Sequence, residues 1–215
     1  MKFNKKLFIP SLLAVLTYLL SYQLPKILIS VNRYHYLSTS FDEKIPFVPI
    51  FMLIYIGAFL QWTNGILFLC KQETKKAYKY LSAIIIGSLI GMSIFLIYPT
   101  ATSRPEIIGN SLIEKLCAFI FSIDSDVNAF PSFHCFCSLI VVIVFIDFKA
   151  DKKAIIFNII YSLLVFASTV LTKQHVFLDI PGGIALAIIA NVISKYISFD
   201  SLFEKLNSKI NILTK

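Results

Sequence analysis

The feature that most constrains this chain is a series of long apolar windows separated by short charged breaks. A hydrocarbon core about 30 Å thick needs roughly 20 apolar residues per helix, and six windows approach that length. They cover residues 7 to 24, 47 to 70, 81 to 98, 133 to 148, 154 to 172 and 176 to 196. Because lipid offers no partner to an open backbone group, each window is predicted to be a helix. The expected fold class is therefore all-α, a polytopic membrane protein with six transmembrane helices.

The composition agrees with this interpretation, since 57% of the 215 residues are hydrophobic, far more than a soluble domain carries. Nothing in the sequence indicates a second domain, so residues 1 to 215 are interpreted as one six-helix membrane domain. The first window follows Lys5 and Lys6, as in a secretory signal, but no small-residue cleavage site follows it. A retained first helix is expected in preference to a cleaved signal.

The distribution of positive charge predicts the orientation, because Lys and Arg in short loops stay in the cytoplasm. With the N-terminus inside, fourteen of the 20 Lys and Arg fall on the cytoplasmic side. The six on the other side are Lys26, Arg33, Lys44, Arg104, Lys115 and Lys173. Both termini are thus expected in the cytoplasm of a multi-pass cell-membrane protein. Membrane-flanking lysines also account for the net charge of +8, so nucleic acid is not an expected partner.

The four cysteines, Cys70, Cys117, Cys135 and Cys137, lie in apolar or amphipathic helical stretches and do not form a disulfide framework. Buried free thiols are expected. His134 with Cys135 and Cys137 suggests a zinc site, but on a helix residue 135 points about 100° away from the other two. A tetrahedral site needs four converging ligands, so no metal and no other cofactor is expected.

Two further stretches are amphipathic. The tail, residues 198 to 215, is predicted to be a cytoplasmic helix on the inner leaflet, with a stripe of Leu202, Phe203, Leu206, Ile210 and Leu213. The long segment before the fourth window carries a similar stripe of Leu112, Ile113, Leu116, Phe119 and Ile120. Either stripe is alternatively a surface for a protein partner. The sequence leaves the oligomeric state open, and the lack of an internal repeat disfavours a transporter built from duplicated halves.

Polar residues gather at the predicted outer face of the membrane. One group lies in residues 99 to 134 and the other in the short turn between the fifth and sixth windows, and both fall on the same side. The residues expected to converge on one pocket are Arg104, Ser132, His134, Lys173, His175 and Asp179.

His175 and Asp179 are four residues apart, so on a helix they share a face. A carboxylate there can hold the Nδ1 proton of the imidazole and leave the other ring nitrogen free to act as a nucleophile. Alternatively, the pair is structural and fixes the sixth helix to a neighbour.

Pro131 favours a helix start, so Ser132 and nearby backbone amides are expected at a helix N-terminus, where anions bind. Arg104 and Lys173 offer the positive charge that a phosphate needs. Alternatively, Ser132 is only a helix cap and Arg104 only a headgroup anchor.

Three motifs, in order, resemble those of the type 2 phosphatidic acid phosphatase superfamily, especially the branch with inositolphosphotransferases and sphingomyelin-synthase-like enzymes. They are "YPTATSRP", "FPSFH" and "KQHVFLD". The motifs lie within about residues 95 to 185, and the six-helix plan extends the resemblance to the whole chain. The resemblance implies a phosphatidic acid phosphatase type 2-like helical bundle.

The resemblance also implies residue roles. His175 matches the nucleophile, Asp179 its orienting partner, and His134 the group that protonates the leaving oxygen. Arg104 and Ser132 match phosphate-binding positions. The family's first motif opens with a lysine where this chain has Ile97, and its third carries an arginine where this chain has Thr169. We expect Lys173 to supply that missing charge, which is our inference and not part of the family pattern.

The function implied is an integral membrane lipid-phosphate phosphatase that hydrolyses a lipid phosphomonoester or diphosphate through a phosphohistidine, without a metal. An alcohol acceptor in place of water would make the same pocket a head-group phosphotransferase. A non-catalytic scaffold or transporter is the alternative from a different class. The apolar residues do not distinguish one lipid phosphate from another.

Overall fold

The structure of the protein, a computed structural model, describes residues 3 to 29 and 34 to 213, and the side chains of this part up to residue 209. Arg33 lies outside the described part, as do Lys2 and Lys215, two of the fourteen cations predicted on the cytoplasmic side, and the side chains of Ile210 and Leu213. A short 3₁₀ turn, Lys5–Leu7, precedes the first helix. The α-helices are α1 (Phe8–Leu28), α2 (Ser40–Lys44), α3 (Phe51–Leu69), α4 (Thr74–Ile97), α5 (Leu112–Ile123), α6 (Phe133–Asp147), α7 (Lys152–Leu171), α8 (Asp179–Ile193) and α9 (Asp200–Leu213).

Each of the six apolar windows forms a helix, so the prediction of a helical membrane protein is confirmed. Within the described residues, four helices are long and apolar enough to cross a membrane: α1 with its 3₁₀ turn, α3, α4 and α7. The apolar helices α6 and α8 have 15 residues each, which corresponds to about 22 Å of helix. The count of six spans therefore stays a prediction.

Small residues let the helices of the bundle approach closely. Helix α4 lies at the centre and packs against α1, α6 and α8. Gly91 and Gly87 lie on one face of α4, and the rings of Phe133 and Phe136 from α6 occupy the space that a side chain at those glycines would need. Close packing around small residues is what holds helices together where lipid removes the hydrophobic driving force.

Buried polar side chains add ties between helices. Gln61 of α3 donates to Ser162 of α7 at 2.9 Å, and Trp62 of α3 donates through its indole N–H to Ser138 of α6 at 2.9 Å. Ser162 in turn donates to the backbone carbonyl of Ser138 at 3.1 Å. These bonds fix α3, α6 and α7 against one another in a setting where an unpaired polar group is costly.

One end of the bundle, called here the tail end, carries residues 70 to 73, residues 148 to 151 and α9. The tail forms the predicted helix, but its apolar stripe is not wholly free to lie on a membrane. Phe203 is fully buried, with its ring centroid 5.0 Å from that of Tyr78, and Asn207 donates to the carbonyl of Lys6 at 2.8 Å. Helix α9 therefore packs on the bundle, because the Phe203 ring of its apolar stripe is buried against α4.

The opposite end, called here the capped end, carries α2, α5, the loop of residues 172 to 178 and two strands of two residues each. The strands β1 (His35–Tyr36) and β2 (Thr100–Ala101) pair in parallel, a small departure from the all-α prediction. Helix α5 is amphipathic as predicted, with Cys117 buried beside Met52 and Tyr55 of α3, while Leu112 and Phe119 of the predicted stripe stay exposed.

Candidate active site

The candidate site lies at the capped end, where the N-terminal ends of α6 and α8 meet. Ser132 is the N-cap of α6, and its side chain accepts from the backbone N–H of Cys135. The backbone N–H of Ser132 donates to the carbonyl of Asp179, the first residue of α8, at 3.2 Å. Gly183, one turn further along α8, faces the Ser132 carbonyl with no space for a side chain between them. Two helix starts that are remote in sequence are thus joined through backbone contacts.

Three side chains form a hydrogen-bonded line across this junction. The Nε2 atom of His175 lies 3.3 Å from the hydroxyl of Ser132, and its Nδ1 atom lies 3.0 Å from Oδ2 of Asp179. Ser132 and Asp179 are fully buried, and His175 is 8% exposed. If Nδ1 carries the proton, the imidazole donates to the carboxylate and Nε2 accepts from the hydroxyl, which is the tautomer of a nucleophilic imidazole.

The expectation that His175 and Asp179 share a face of one helix is wrong, although the side chains do meet. His175 lies in the loop before α8, which begins at Asp179. The backbone N–H groups of Gln174 and His175 both donate to the carbonyl of Thr169, and the N–H of Val176 donates to Oδ2 of Asp179 at 3.1 Å. The loop is folded by these backbone bonds, so the pair is set by a turn and not by helical spacing.

His134, in the first turn of α6, lies inside a group of aromatic rings. Its ring is stacked on Tyr55 with centroids 3.9 Å apart, and the centroids of Trp62 and Phe59 lie at 5.0 and 5.7 Å. The centroids of His134 and His175 are 6.1 Å apart. Within the described part of the chain, the buried Nε2 atom of His134 has no hydrogen-bond partner, which is the kind of group that a ligand is needed to satisfy.

Most N–H donors of the Arg104 guanidinium form hydrogen bonds to other groups of the protein. One terminal nitrogen donates to the carbonyl of Asp124 at 2.6 Å, and the other donates to the carbonyl of Ser125 at 2.8 Å and to the side chain of Gln174. Its buried Nε atom has no partner among the described residues. Arg104 therefore ties the segment after α5 to the His175 loop while leaving one donor unused.

Lys173 is likewise occupied by backbone oxygens, because its ammonium group donates to the carbonyls of Asp42 and Ile45 at 2.9 and 2.6 Å. At the two positions where the family motifs carry a positive charge, this chain has no charge: Ile97 ends α4 and is 83% exposed, and Thr169 is buried and donates to the carbonyl of Phe166. That Lys173 supplies the missing charge stays a prediction.

Both cations and His175 line a cavity of about 390 Å³. The other walls come from the α2 segment, residues 102 to 105, and Val170 and Val176. Of the six predicted residues, Arg104, Lys173 and His175 reach this cavity directly, and Ser132 and Asp179 lie behind His175. His134 lies on the far side of His175, toward α3.

Sequence reasoning missed a partly buried network around Asp124, just after α5. Its carboxylate accepts from the hydroxyl of Tyr22 at 2.8 Å, from Lys26 at 3.2 Å and from the hydroxyl of Tyr55 at 3.4 Å. Burial raises the pKa of Asp124, but the Lys26 charge and the Tyr22 hydroxyl outweigh it and leave that pKa below its usual value. No local pattern signals these contacts, which join residues about 70 to 100 positions apart.

A second missed residue is Asp42, which had a local signal. The stretch Thr39 to Asp42 is a capping box at the N-terminus of α2, in which each side chain accepts the backbone N–H of the other residue. The carboxylate also accepts the backbone N–H of Phe177 at 2.6 Å, so a hydrogen bond connects α2 to the His175 loop. Burial raises the pKa of Asp42, and the bonds from Phe177 and Thr39 together with the Lys173 charge lower it below its usual value.

No group of three or more His, Cys, Asp and Glu side chains is arranged to hold a metal ion in the described ranges. His134, Cys135 and Cys137 in particular do not converge. All four cysteines are free, as predicted.

Comparison with known proteins identifies the family. A search of curated proteins and a search of solved structures each gave no significant match. The model of the PAP2 superfamily matches residues 29–193, well over half of the chain, and its members are generally phosphatases and phosphotransferases. Since the match includes every residue of the candidate site, the chain belongs to the PAP2 superfamily, the type 2 phosphatidic acid phosphatases that its motifs resemble.

Proposed function

We propose that this protein is a membrane lipid-phosphate phosphatase that works through a phosphohistidine at His175. The observation that carries the proposal is the line from the Ser132 hydroxyl through both ring nitrogens of His175 to Asp179, with separations of 3.3 and 3.0 Å. A histidine held in this way has one nitrogen fixed by a carboxylate and the other free to act as a nucleophile, and the same ring lines the polar cavity that Arg104 and Lys173 reach.

In the first step, Nε2 of His175 attacks phosphorus and the bond from phosphorus to the lipid oxygen breaks. The departing oxygen takes a proton from His134, so a neutral alcohol leaves and the phosphoryl group stays on His175. The ring centroids of His134 and His175 lie 6.1 Å apart, which supports these roles because one phosphoryl group bound beside the two rings can contact both of them.

In the second step, water attacks the phosphohistidine and gives its proton to His134, and inorganic phosphate is released. His134 thus acts first as acid and then as base, as reversibility requires. The unpartnered Nε2 of His134 supports this role, since a buried polar atom without a protein partner is suited to a bond with substrate or water.

Ser132, Arg104 and Lys173 are the proposed phosphate ligands. Ser132 carries the hydroxyl that contacts the attacking nitrogen, so it also reaches an oxygen of a phosphate placed there. Arg104 keeps its Nε–H, and Lys173 keeps one of its three ammonium donors after its bonds to Asp42 and Ile45. Fixed positive charges around a phosphoryl group stabilise the negative charge on its oxygens.

Phosphate release by the purified protein in detergent, with a chelator present, tests the proposal. Wild-type protein is expected to release phosphate from dioleoyl phosphatidate or a polyprenyl diphosphate, and His175→Ala is expected to lose at least roughly 10³-fold of kcat. The matched control is His35→Ala, because His35 is exposed and its ring stacks on Tyr98, with centroids 4.3 Å apart. Equal rates for His175→Ala and wild type would remove His175 from the chemistry.

The same assay distinguishes the alternatives. Labelled phosphate is expected on His175 after a quench that avoids acid. Transfer of the label to an added alcohol in preference to water would make the protein a phosphotransferase. A wild-type protein that turns over no member of the panel, while His134→Ala lowers only the melting temperature, would favour a scaffold or transporter.

The proposal includes a placement in the cell membrane. The tail end, with both termini and most lysines, is proposed to face the cytoplasm, and the capped end to face outward, so that all 215 residues form one membrane domain. Support comes from the lysine distribution and the positive-inside rule. Single cysteines introduced at Glu43 and at Asp151 of an otherwise cysteine-free variant test this placement: an impermeant thiol reagent on intact cells is expected to label only position 43.

A further inference from the structure

A second cavity of the bundle is not used by the mechanism above. It is an apolar groove of about 260 Å³ between α1, α3, α4 and α6. On α3 its lining extends from Phe59 to Leu69, which corresponds to roughly 15 Å along the helix. The volume is below the about 300 Å³ at which pockets hold a whole drug-sized ligand. The groove therefore suits one elongated apolar part of a larger molecule.

The groove opens sideways between α1 and α3. Helix α1 packs mainly on α4, while α3 packs on α6 and α7, and α1 and α3 make few contacts with each other. The rim side chains Leu19 and Val15 are 47% and 38% exposed. Because α1 and α3 are both long enough to cross a membrane, the opening faces the region that lipid chains occupy.

His134 lies between this groove and the polar cavity. Phe59 and Trp62 line the groove and also contact the His134 ring, at 5.7 and 5.0 Å between centroids. On its other side, His134 is 6.1 Å from His175, which lines the polar cavity. The Trp62 ring is fixed by its bond to Ser138, so the wall that separates this end of the groove from His134 is held in place.

We infer that this groove binds one hydrocarbon chain of the lipid phosphate, an inference that rests on the proposed function. If His134 protonates the leaving oxygen, the carbon skeleton bonded to that oxygen must begin beside His134. The polar cavity beyond His175 carries Asp42, Glu43 and both cations, which exclude a hydrocarbon. The apolar groove leads away from His134 on the opposite side and ends near Leu69, so it selects a substrate with at least one long chain.

A pair of tryptophan substitutions on α1 tests the inference. Leu19→Trp places a large ring on the groove rim, and Leu20→Trp, at the next residue, is the matched control, since Leu20 is 55% exposed and does not line the groove. Each variant is assayed with dioleoyl phosphatidate and with dibutanoyl phosphatidate, whose chains are too short to fill the groove. A melting temperature in detergent checks that both variants fold.

We expect Leu19→Trp to lower kcat/KM about tenfold for the dioleoyl substrate, to leave the dibutanoyl substrate within twofold of wild type, and Leu20→Trp to change neither. Leu19→Trp and Leu20→Trp behaving alike on both substrates would overturn the inference while leaving the phosphatase intact. A wild-type protein inactive on both substrates would instead count against the proposed function.

Photolabelling examines the groove without turnover. A phosphatidate with a diazirine in its chain is added to His175→Ala protein and irradiated, and the labelled peptides are identified. Labelling is expected on groove residues such as Leu19, Thr63 and Ile66, and excess phosphatidate, but not excess phosphatidylcholine, is expected to compete. Uncompeted labelling spread over all lipid-facing helices would show that the groove only contacts bulk lipid.

Discussion

Gly183→Ala should separate the two halves of the candidate site. A methyl group at Gly183 would lie 2.7 Å from Cβ of Cys135 and 3.2 Å from the backbone nitrogen of Phe136, and closer still to the carbonyl oxygen of Ser132. Ordinary van der Waals contact begins at 3.4 Å, so α8 must move away from α6 by roughly 0.7 Å or more, because backbone atoms cannot rotate aside.

The movement has a calculable effect on the site. The bond from the Ser132 N–H to the Asp179 carbonyl, at 3.2 Å, and the Ser132–His175 contact, at 3.3 Å, both lengthen past hydrogen-bonding range. A displacement of this size at reacting groups costs about 10²-fold in rate, and overpacking costs about 1 to 3 kcal/mol of stability. We therefore expect kcat/KM for phosphatidate to fall about 10²-fold in a protein that still folds.

The control is Gly57→Ala on α3. Its methyl group would meet the hydroxyl of Tyr161, which donates to the carbonyl of Ile54 at 3.3 Å and can rotate away. A comparable loss of stability, with kcat/KM within threefold of wild type, is expected from phosphate-release assays and thermal unfolding in detergent. Gly183→Ala at near wild-type activity, or Gly57→Ala with an equal loss, would refute the reasoning.

Three further predictions follow from the surroundings of the site. Tyr55→Leu removes the ring stacked on His134 and should slow the cleavage of alkyl phosphates at least tenfold more than that of p-nitrophenyl phosphate, whose leaving group needs no proton; equal slowing would mean that Tyr55 does not position an acid. Arg104→Lys cannot reach the same set of carbonyls and should lose about 2 kcal/mol or more of stability, read from thermal unfolding, whereas an unchanged midpoint would contradict a tying role. Burial raises the pKa of Asp124, but the Lys26 charge helps to bring that pKa below its usual value in the folded protein. The ionised carboxylate therefore contributes its full stabilisation above the unfolded pKa of about 3.9 and loses it as the pH falls through the folded pKa. Asp124→Asn should flatten the pH dependence of the melting temperature below about pH 4, and a curve identical to that of wild type would exclude this role.

The parts of the fold that sequence reasoning predicts are those that lipid imposes. A chain that must satisfy every backbone group within the bilayer has little choice but helix, so all six apolar windows form helices close to their predicted bounds. The largest difference is the start of α4, which begins at Thr74 and not at residue 81, because its first turns carry lysines and lie outside the apolar window. Helix α8 begins three residues later than predicted, because residues 176 to 178 belong to the folded loop of His175.

The parts that sequence reasoning misses depend on contacts between remote segments. Arg104 and Lys173 were expected to face phosphate. Both side chains do line the cavity, but most of their N–H donors form hydrogen bonds to carbonyl oxygens of other segments. Asp124 shows the same difficulty, since its partners Tyr22 and Tyr55 come from α1 and α3. Helical periodicity identifies a face of one helix but carries no information on which distant segment covers that face.

The site combines strong backbone bonds with unfilled side-chain capacity, and this combination is what a phosphoryl-transfer site requires. The chain fixes the positions through backbone groups: Ser132 to Asp179, Val176 to Asp179, and the His175 loop to Thr169. Nine buried side-chain atoms have no partner in the described residues, and three of them belong to proposed site residues: Nε2 of His134, Nε of Arg104 and Oδ1 of Asp179. Leaving a buried polar atom unpaired costs about 1 to 3 kcal/mol, so a polar ligand that pairs any of these three atoms would be stabilised. A phosphate ester offers acceptor oxygens to the donors of His134 and Arg104, and it does so without requiring the backbone to move.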